Sequence, residues 1–196
     1  MNGRGDLVGP LPEDRDPEAY DRLRRRVLWS LPTGLYLVGS RSGDRVNLMT
    51  CNLVVQVSTD PKVVAVSVEA GSATRGLIND GGAFTVCLLD RSDRAVVRRF
   101  VKPVTDVDRD ADGRVVALQG EPVTEVAGGL PVLATAAGWI ACAVRATVDP
   151  GGPAGEPASH VLFLGEVVDV GERPPDPGGA PVEVLRMEDT RMNYGG

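Results

Sequence analysis

The chain holds one histidine and three cysteines in 196 residues, and aromatic residues make up only 4% of it. A single imidazole nearly excludes a histidine-based metal site, because such sites recruit several. Cys51, Cys87 and Cys142 are odd in number and far apart, and no Cys-x-x-Cys or Cys/His cluster suggests zinc. They read as reduced thiols of a cytoplasmic protein. Basic charge is scarce too: 21 Lys and Arg against 27 Asp and Glu leave a net charge of −6. Nucleic-acid binders carry a basic face, so no nucleic-acid partner is expected. The one basic run, Arg24-Arg25-Arg26, lies in a helical pattern and reads as a solvated helix face. No apolar run approaches the roughly 18 residues that a membrane span requires. No secretory apolar region opens the sequence either, so a soluble protein with no membrane partner is expected.

The usual catalytic signatures are also missing. There is no G-x-G-x-x-G after a strand, no G-x-x-x-x-G-K-[ST] and no H-E-x-x-H. There is no G-x-S-x-G elbow, and a nucleophile triad would have only His160 to draw on. Enzymatic chemistry, if present, has to be carried by a bound cofactor.

What is abundant is glycine and proline, 24 and 15 residues, gathered in turns between valine-rich runs. Such runs favour sheet. After a polar arm at residues 1–15, Asp16-Pro17 marks a helix start, with Asp16 as cap. The helix is expected over residues 17–28. Strands follow at 35–40 and 46–58, joined as a hairpin, and at 62–68 after the Asp60-Pro61 break. The unbroken apolar run Val63-Val64-Ala65-Val66 indicates burial on both faces. A helix is expected at 72–80, stopped by Gly81-Gly82, then a strand at 83–89 and a helix from a Ser92 cap to Arg99. Residues 101–130 are polar and turn-rich, with one short strand at 115–118. Strands at 139–148, 160–170 and 181–187 complete a set of about eight. Residues 16–196 read as a single domain, mainly β with peripheral helices, an antiparallel barrel with helices packed outside.

Three places have polar residues suited to a cofactor. In Asn47-Leu48-Met49-Thr50-Cys51-Asn52, alternation puts Asn47, Met49 and Cys51 on one face and Leu48, Thr50 and Asn52 on the other. Asn and Thr beside open backbone amides suit the donor and acceptor edge of a heterocycle. The same segment also fits a polar sheet edge facing water. Gly71-Ser72-Ala73-Thr74-Arg75 offers a helix N-terminus, two hydroxyls and a cation, the parts of an anion site; Ser72 also fits a simple helix cap. His160 opens a strong strand after a flexible loop, where a side chain can face a ligand or serve structure alone.

Taken in order, these pieces resemble the flavin reductase-like family, flavin-binding split barrels that act as small components of two-component monooxygenases. The resemblance spans residues 32–187. It rests on Asn47-x-Met49-Thr50-Cys51-Asn52, Asp60-Pro61-Lys62-Val63-Val64, Ser72-x-Thr74-Arg75, Gly129-x-Pro131-x-Leu133, and His160-x-Leu162-Phe163-x-Gly165-Glu166-Val167. It implies an antiparallel split β-barrel and a homodimer that binds FMN, or FAD, near its subunit interface, with NADH or NADPH as co-substrate. By likeness, Asn47, Met49, Thr50, Cys51 and Asn52 line the ring and ribityl chain. Ser67 and Val68 pass beside them. Ser72, Thr74 and Arg75 hold the phosphate, and His160 orients the nicotinamide. The implied activity is hydride transfer from nicotinamide to flavin, with reduced flavin passing to a monooxygenase partner. A non-catalytic flavin carrier, or a haem- or deazaflavin-binding sibling on the same barrel, is the alternative. Arg75 stands where the family commonly has histidine, Cys51-Asn52 where it has a small-residue pair, and Ser159 where it has aspartate. The ending Arg191-Met192-Asn193-Tyr194-Gly195-Gly196 only loosely matches the family's tyrosine-glycine tail.

Overall fold

In the computed structural model, which describes residues 10–152, 155–174 and 182–190, the first two strands form the expected hairpin. β1 (Tyr36–Ser42) pairs antiparallel with β2 (Arg45–Cys51), Tyr36 opposite Cys51. The strand expected at 46–58 is in fact two. β2 ends at Cys51, and β3 (Val54–Thr59) pairs with β4 (Lys62–Glu69) around the Asp60–Pro61 turn. A sequence pattern of alternating residues does not register that the pairing partner changes at Asn52-Leu53.

That change defines the barrel. With β5 (Ala83–Leu88), β10 (Gly138–Val148) and β11 (His160–Glu172), the sheet runs in the order β2-β1-β5-β10-β11-β4-β3. Its outermost strands, β2 and β3, are separated by only two residues of chain, so the sheet must curl until its edges nearly meet. Bulges in β10, between Ala141 and Cys142 and between Val144 and Ala146, supply bend. β2 and β3 share no ladder, and the barrel is split along that seam. Inside it lie Val38, Val66, Val86, Phe84, Cys142 and Phe163. Of the unbroken apolar run, Val64, Ala65 and Val66 are buried and Val63 is half-buried.

α2 (Ala73–Gly81) carries the chain from β4 across β2 and β1 to β5 and buries Thr74, Leu77 and Ile78. Its bounds match expectation: Ser72 caps its start and Gly82, at φ 67°, closes its end in the left-handed conformation that suits glycine.

Residues 101–130 hold more strand than their composition suggests. β6 (Val107–Arg109), β7 (Val115–Leu118), β8 (Glu121–Val126) and β9 (Leu130–Leu133) form a second antiparallel sheet. β9 lies on the outer face of β1 and β5, where Thr85 Oγ1 donates to the Pro131 carbonyl at 2.7 Å. A side chain at Gly39 would overlap both groups, so glycine is required there. Covered on both faces, β1 and β5 show unbroken burial at residues 37–40 and 84–87.

The helix expected from Ser92 to Arg99 is absent. Asp90 Oδ1 accepts from both the N–H and the hydroxyl of Ser92, at 2.9 and 2.8 Å, so Ser92 is consumed and cannot cap. Two 3₁₀ turns, Arg91–Asp93 and Val96–Phe100, stand instead, and Val97 and Phe100, three apart, are buried as one 3₁₀ face. The expected strand at 181–187 also fails among the described residues. Leu185 bonds back to both Leu35 and Leu89, two different partners, which leaves single bridges and no ladder.

Thr33–Thr190 forms one compact unit, and α1 (Pro17–Trp29) belongs to another. Asp16 accepts from the Ala19 N–H at 2.7 Å, as a cap should. Asp21 pairs with Arg24 and Arg25 within the helix, and the hydrogen bond from Arg24 is foremost in holding its carboxyl below the usual range. The arm at residues 1–9 and the tail with Tyr194 lie outside the described residues. No described helix is long and apolar enough to cross a membrane.

Candidate functional site

The region beside that seam, where β2 meets α2 and the end of β4, gathers most of the residues singled out from the sequence. The face of β2 bearing Asn47, Met49 and Cys51 turns toward α2 and β4. Asn47 Nδ2 donates to Thr74 Oγ1 at 2.9 Å, and its Oδ1 accepts from the Val104 N–H at 2.8 Å. Both Asn47 and Thr74 are buried, at 4% and 1% exposure. They form a strut that fixes the start of α2 against β2. Further along, Cys51 Sγ donates to the Ser67 carbonyl at 3.5 Å, and the Ser67 N–H meets the Leu53 carbonyl at 2.9 Å. The other face of β2 turns away. Thr50 Oγ1 donates to the Val97 carbonyl at 2.6 Å, beneath the second 3₁₀ turn. Met49 and Asn52 are half-buried, Met49 against the core.

At the end of β4 the chain turns into α2. Ser72 Oγ accepts from the Arg75 N–H at 3.2 Å. The first turn of α2 holds no acidic residue, so no carboxylate within it offsets the positive end of its dipole. Arg75 Nη1 donates to the Ala70 carbonyl at 3.0 Å, which folds the guanidinium back over the turn. Its Nε is buried with no hydrogen-bond partner among the described residues. A buried, unpaired donor on a cation is costly, and an anion there would satisfy it.

His160 begins β11 opposite Glu69 of β4, and cross-strand partners share a sheet face. Its Nδ1 lies 3.1 Å from Ser159 Oγ. The Ser159 carbonyl accepts from the Ala70 N–H at 2.8 Å. The Ala70 residue therefore bonds the Arg75 side chain through its C=O and the strand start of His160 through its N–H. Spacing gave no sign of Glu69 or Ala70 as neighbours of the site. Both follow from the register between β4 and β11, residues some ninety positions apart in the chain by the pairing of Glu69 with His160.

A cavity of about 310 Å³ is bounded by Tyr36, Val54, Val64, Val86, Ile140 and Val167. None of the candidate cofactor-binding residues, nor His160, lines it. Burial raises the Cys51 thiol to about 11 and those of Cys87 and Cys142 to about 12. All three are free, and raised values keep them protonated at neutral pH. Near the ordinary thiol pKa of about 8.5, iodoacetamide should leave the native protein unlabelled and modify all three cysteines only after unfolding. Mass spectrometry of the two samples checks this, and a label on native Cys51 would show the seam to be open.

A split antiparallel barrel whose seam ends at a capped helix N-terminus, with an unpaired guanidinium nitrogen beside it, is a β-barrel suited to an anionic cofactor. More narrowly, the chain belongs to the flavin reductase like domain family, whose model matches residues 28–191. It is 30% identical over 154 residues to the NADH-dependent FMN reductase AsuE2 of Streptomyces nodosus subsp. asukaensis, covering 79% of this chain and 76% of the relative. It is 29% identical over 147 residues to the high molecular weight rubredoxin of Moorella thermoacetica, covering 74% of this chain but only 58% of that longer protein. Among solved structures it is similar to the styrene monooxygenase flavin reductase of Pseudomonas putida S12, with a TM-score of 0.60, 28% identity, and coverage of 78% and 88%.

Proposed function

We propose that this protein is an NADH-dependent flavin reductase that binds FMN or FAD along the β2–β4 seam. The observation that carries the reading is the buried, unpartnered Arg75 Nε at the N-terminus of α2. A phosphate is the anion that this donor set fits, with Arg75 and the open N–H groups of α2 as its ligands and Ser72 and Thr74 beside them. Asn47, Met49, Cys51, Asn52 and Ser67 form the wall along which the ring lies, with Thr50 bracing that wall from behind. His160 meets the nicotinamide. Bound flavin supplies the hydride acceptor; the chain's own task is to orient the two rings and exclude water. NADH over NADPH is supported by the names of the relatives, and a partner monooxygenase by the styrene monooxygenase reductase. Exposed Val55, Val57, Val168 and Val170 on β3 and β11 support a homodimer, since apolar strand faces are rarely left to water. The buried free thiols suit a cytoplasmic setting.

Purified protein, sedimenting as a dimer, should accelerate NADH oxidation in the presence of free FMN or FAD, followed by loss of reduced-nicotinamide absorbance. A rate no faster than the protein-free control would end the reductase reading and favour a flavin carrier.

A further inference from the structure

The imidazole of His160 is held from one side. Ser159 Oγ is 3.1 Å from Nδ1, and among the described residues nothing is bonded to Nε2. Ser159 is itself well anchored, although its side chain is exposed. Its carbonyl is bonded to the Ala70 N–H, and the preceding Ala158 N–H reaches Asp149 Oδ1 at 3.3 Å. Three charged groups belong to the segments next to His160. Glu69 faces it across the strands, Arg75 of α2 is tied to the Ala70 carbonyl, and Asp149 is occupied by the N–H groups of Gly151 and Ala158. None of the three is bonded to the imidazole, so the serine hydroxyl alone acts on Nδ1.

A serine hydroxyl can donate or accept. Donating to Nδ1 gives its proton a protein acceptor and leaves the ring's own proton on Nε2, the nitrogen with no protein partner among the described residues. We propose that Ser159 is a positioning residue: its O–H donates to Nδ1 and holds His160 as the Nε2–H tautomer, so that Nε2–H is presented to an acceptor oxygen of the nicotinamide co-substrate. The tautomer of a histidine is set by the bond at its other nitrogen, and here that bond comes from the adjacent residue. The inference rests on the reading that His160 meets the nicotinamide.

The chain has a single histidine, so the imidazole signals of histidine-labelled protein report on this ring alone. Long-range proton–nitrogen NMR should show Nε2 protonated and Nδ1 bare in the wild type and in Ser159→Thr. Ser159→Asp offers only acceptors and should move the proton to Nδ1. Ser159→Ala and Ser159→Asp should each raise KM for NADH about five-fold, the scale of one lost hydrogen bond, with flavin Kd unchanged. Identical imidazole spectra in wild type, Ser159→Ala and Ser159→Asp would overturn the proposal. So would a flavin Kd that rises in step with KM, which marks the loop as structural. An unmoved KM in both variants while His160→Ala raises it overturns the role of Ser159 alone. An unmoved KM in His160→Ala removes the reading of His160 and the role of Ser159 with it.

Discussion

Arg75→Ala should weaken flavin binding roughly ten- to a hundred-fold, the loss of a charge-assisted bond of about 1.5–3 kcal/mol. The guanidinium is well placed for that. One nitrogen is spent on the Ala70 carbonyl at 3.0 Å, and Nε is buried without a partner at the start of α2. Removing the side chain costs the Ala70 bond but also removes an unsatisfied donor. The stability of the flavin-free protein should therefore change little while affinity falls. Arg75→Lys keeps the charge but not the planar fork and should fall between the two. Fluorescence titration with FMN and FAD measures the effect, and equal affinity in wild type and Arg75→Ala would take Arg75 out of the phosphate site.

Phe84→Ala should lower folding stability by about 3–5 kcal/mol. Phe84 is fully buried on β5 inside the barrel. Its ring occupies the space above Gly165 of β11, where an added side chain would overlap the ring and Cys142 Cβ. Phe84 and Gly165, on the two strands that flank β10, thus form a large–small pair, and truncating the ring leaves a cavity in a close-packed core. Gly165→Ala should be destabilising in the wild type for the opposite reason and less so in the Phe84→Ala background, where only the overlap with Cys142 Cβ remains. Denaturant unfolding of the four proteins tests this as a double-mutant cycle; strictly additive losses would show that the two residues do not compete for one space.

Much of the barrel was legible because its strands follow local rules. The Asp60-Pro61 break, the Ser72 cap and the Gly81-Gly82 stop of α2 are read from neighbouring residues, and the structure has them where the sequence puts them. The failures have a common cause. The split of the second strand at Asn52-Leu53, the second sheet over residues 107–133 and the missing strand near Leu185 all depend on which distant backbone is available to pair. At Ser92, Asp90 two residues earlier takes up the hydroxyl that a helix cap would need.

The candidate site divides the same way. Residue types at Asn47–Asn52, Ser72–Arg75 and His160 were visible in the sequence, as was their order. Which of them remain open to a ligand was not. Asn47 and Thr74 are bonded to each other, Thr50 is turned beneath the 3₁₀ segment, and the Cys51 thiol reaches across to Ser67. Arg75 alone among them keeps a buried nitrogen unpaired.

By itself, then, the sequence determined the strand-rich class, the capped helix and the family, because these depend on side-chain pattern and turn chemistry over short spans. Only the tertiary structure decided that Cys51 of β2 meets Ser67 of β4, and that Ala70 ties Arg75 to the strand start of His160. Those relations depend on the register between β4 and β11, and register is fixed by packing among residues far apart in the chain.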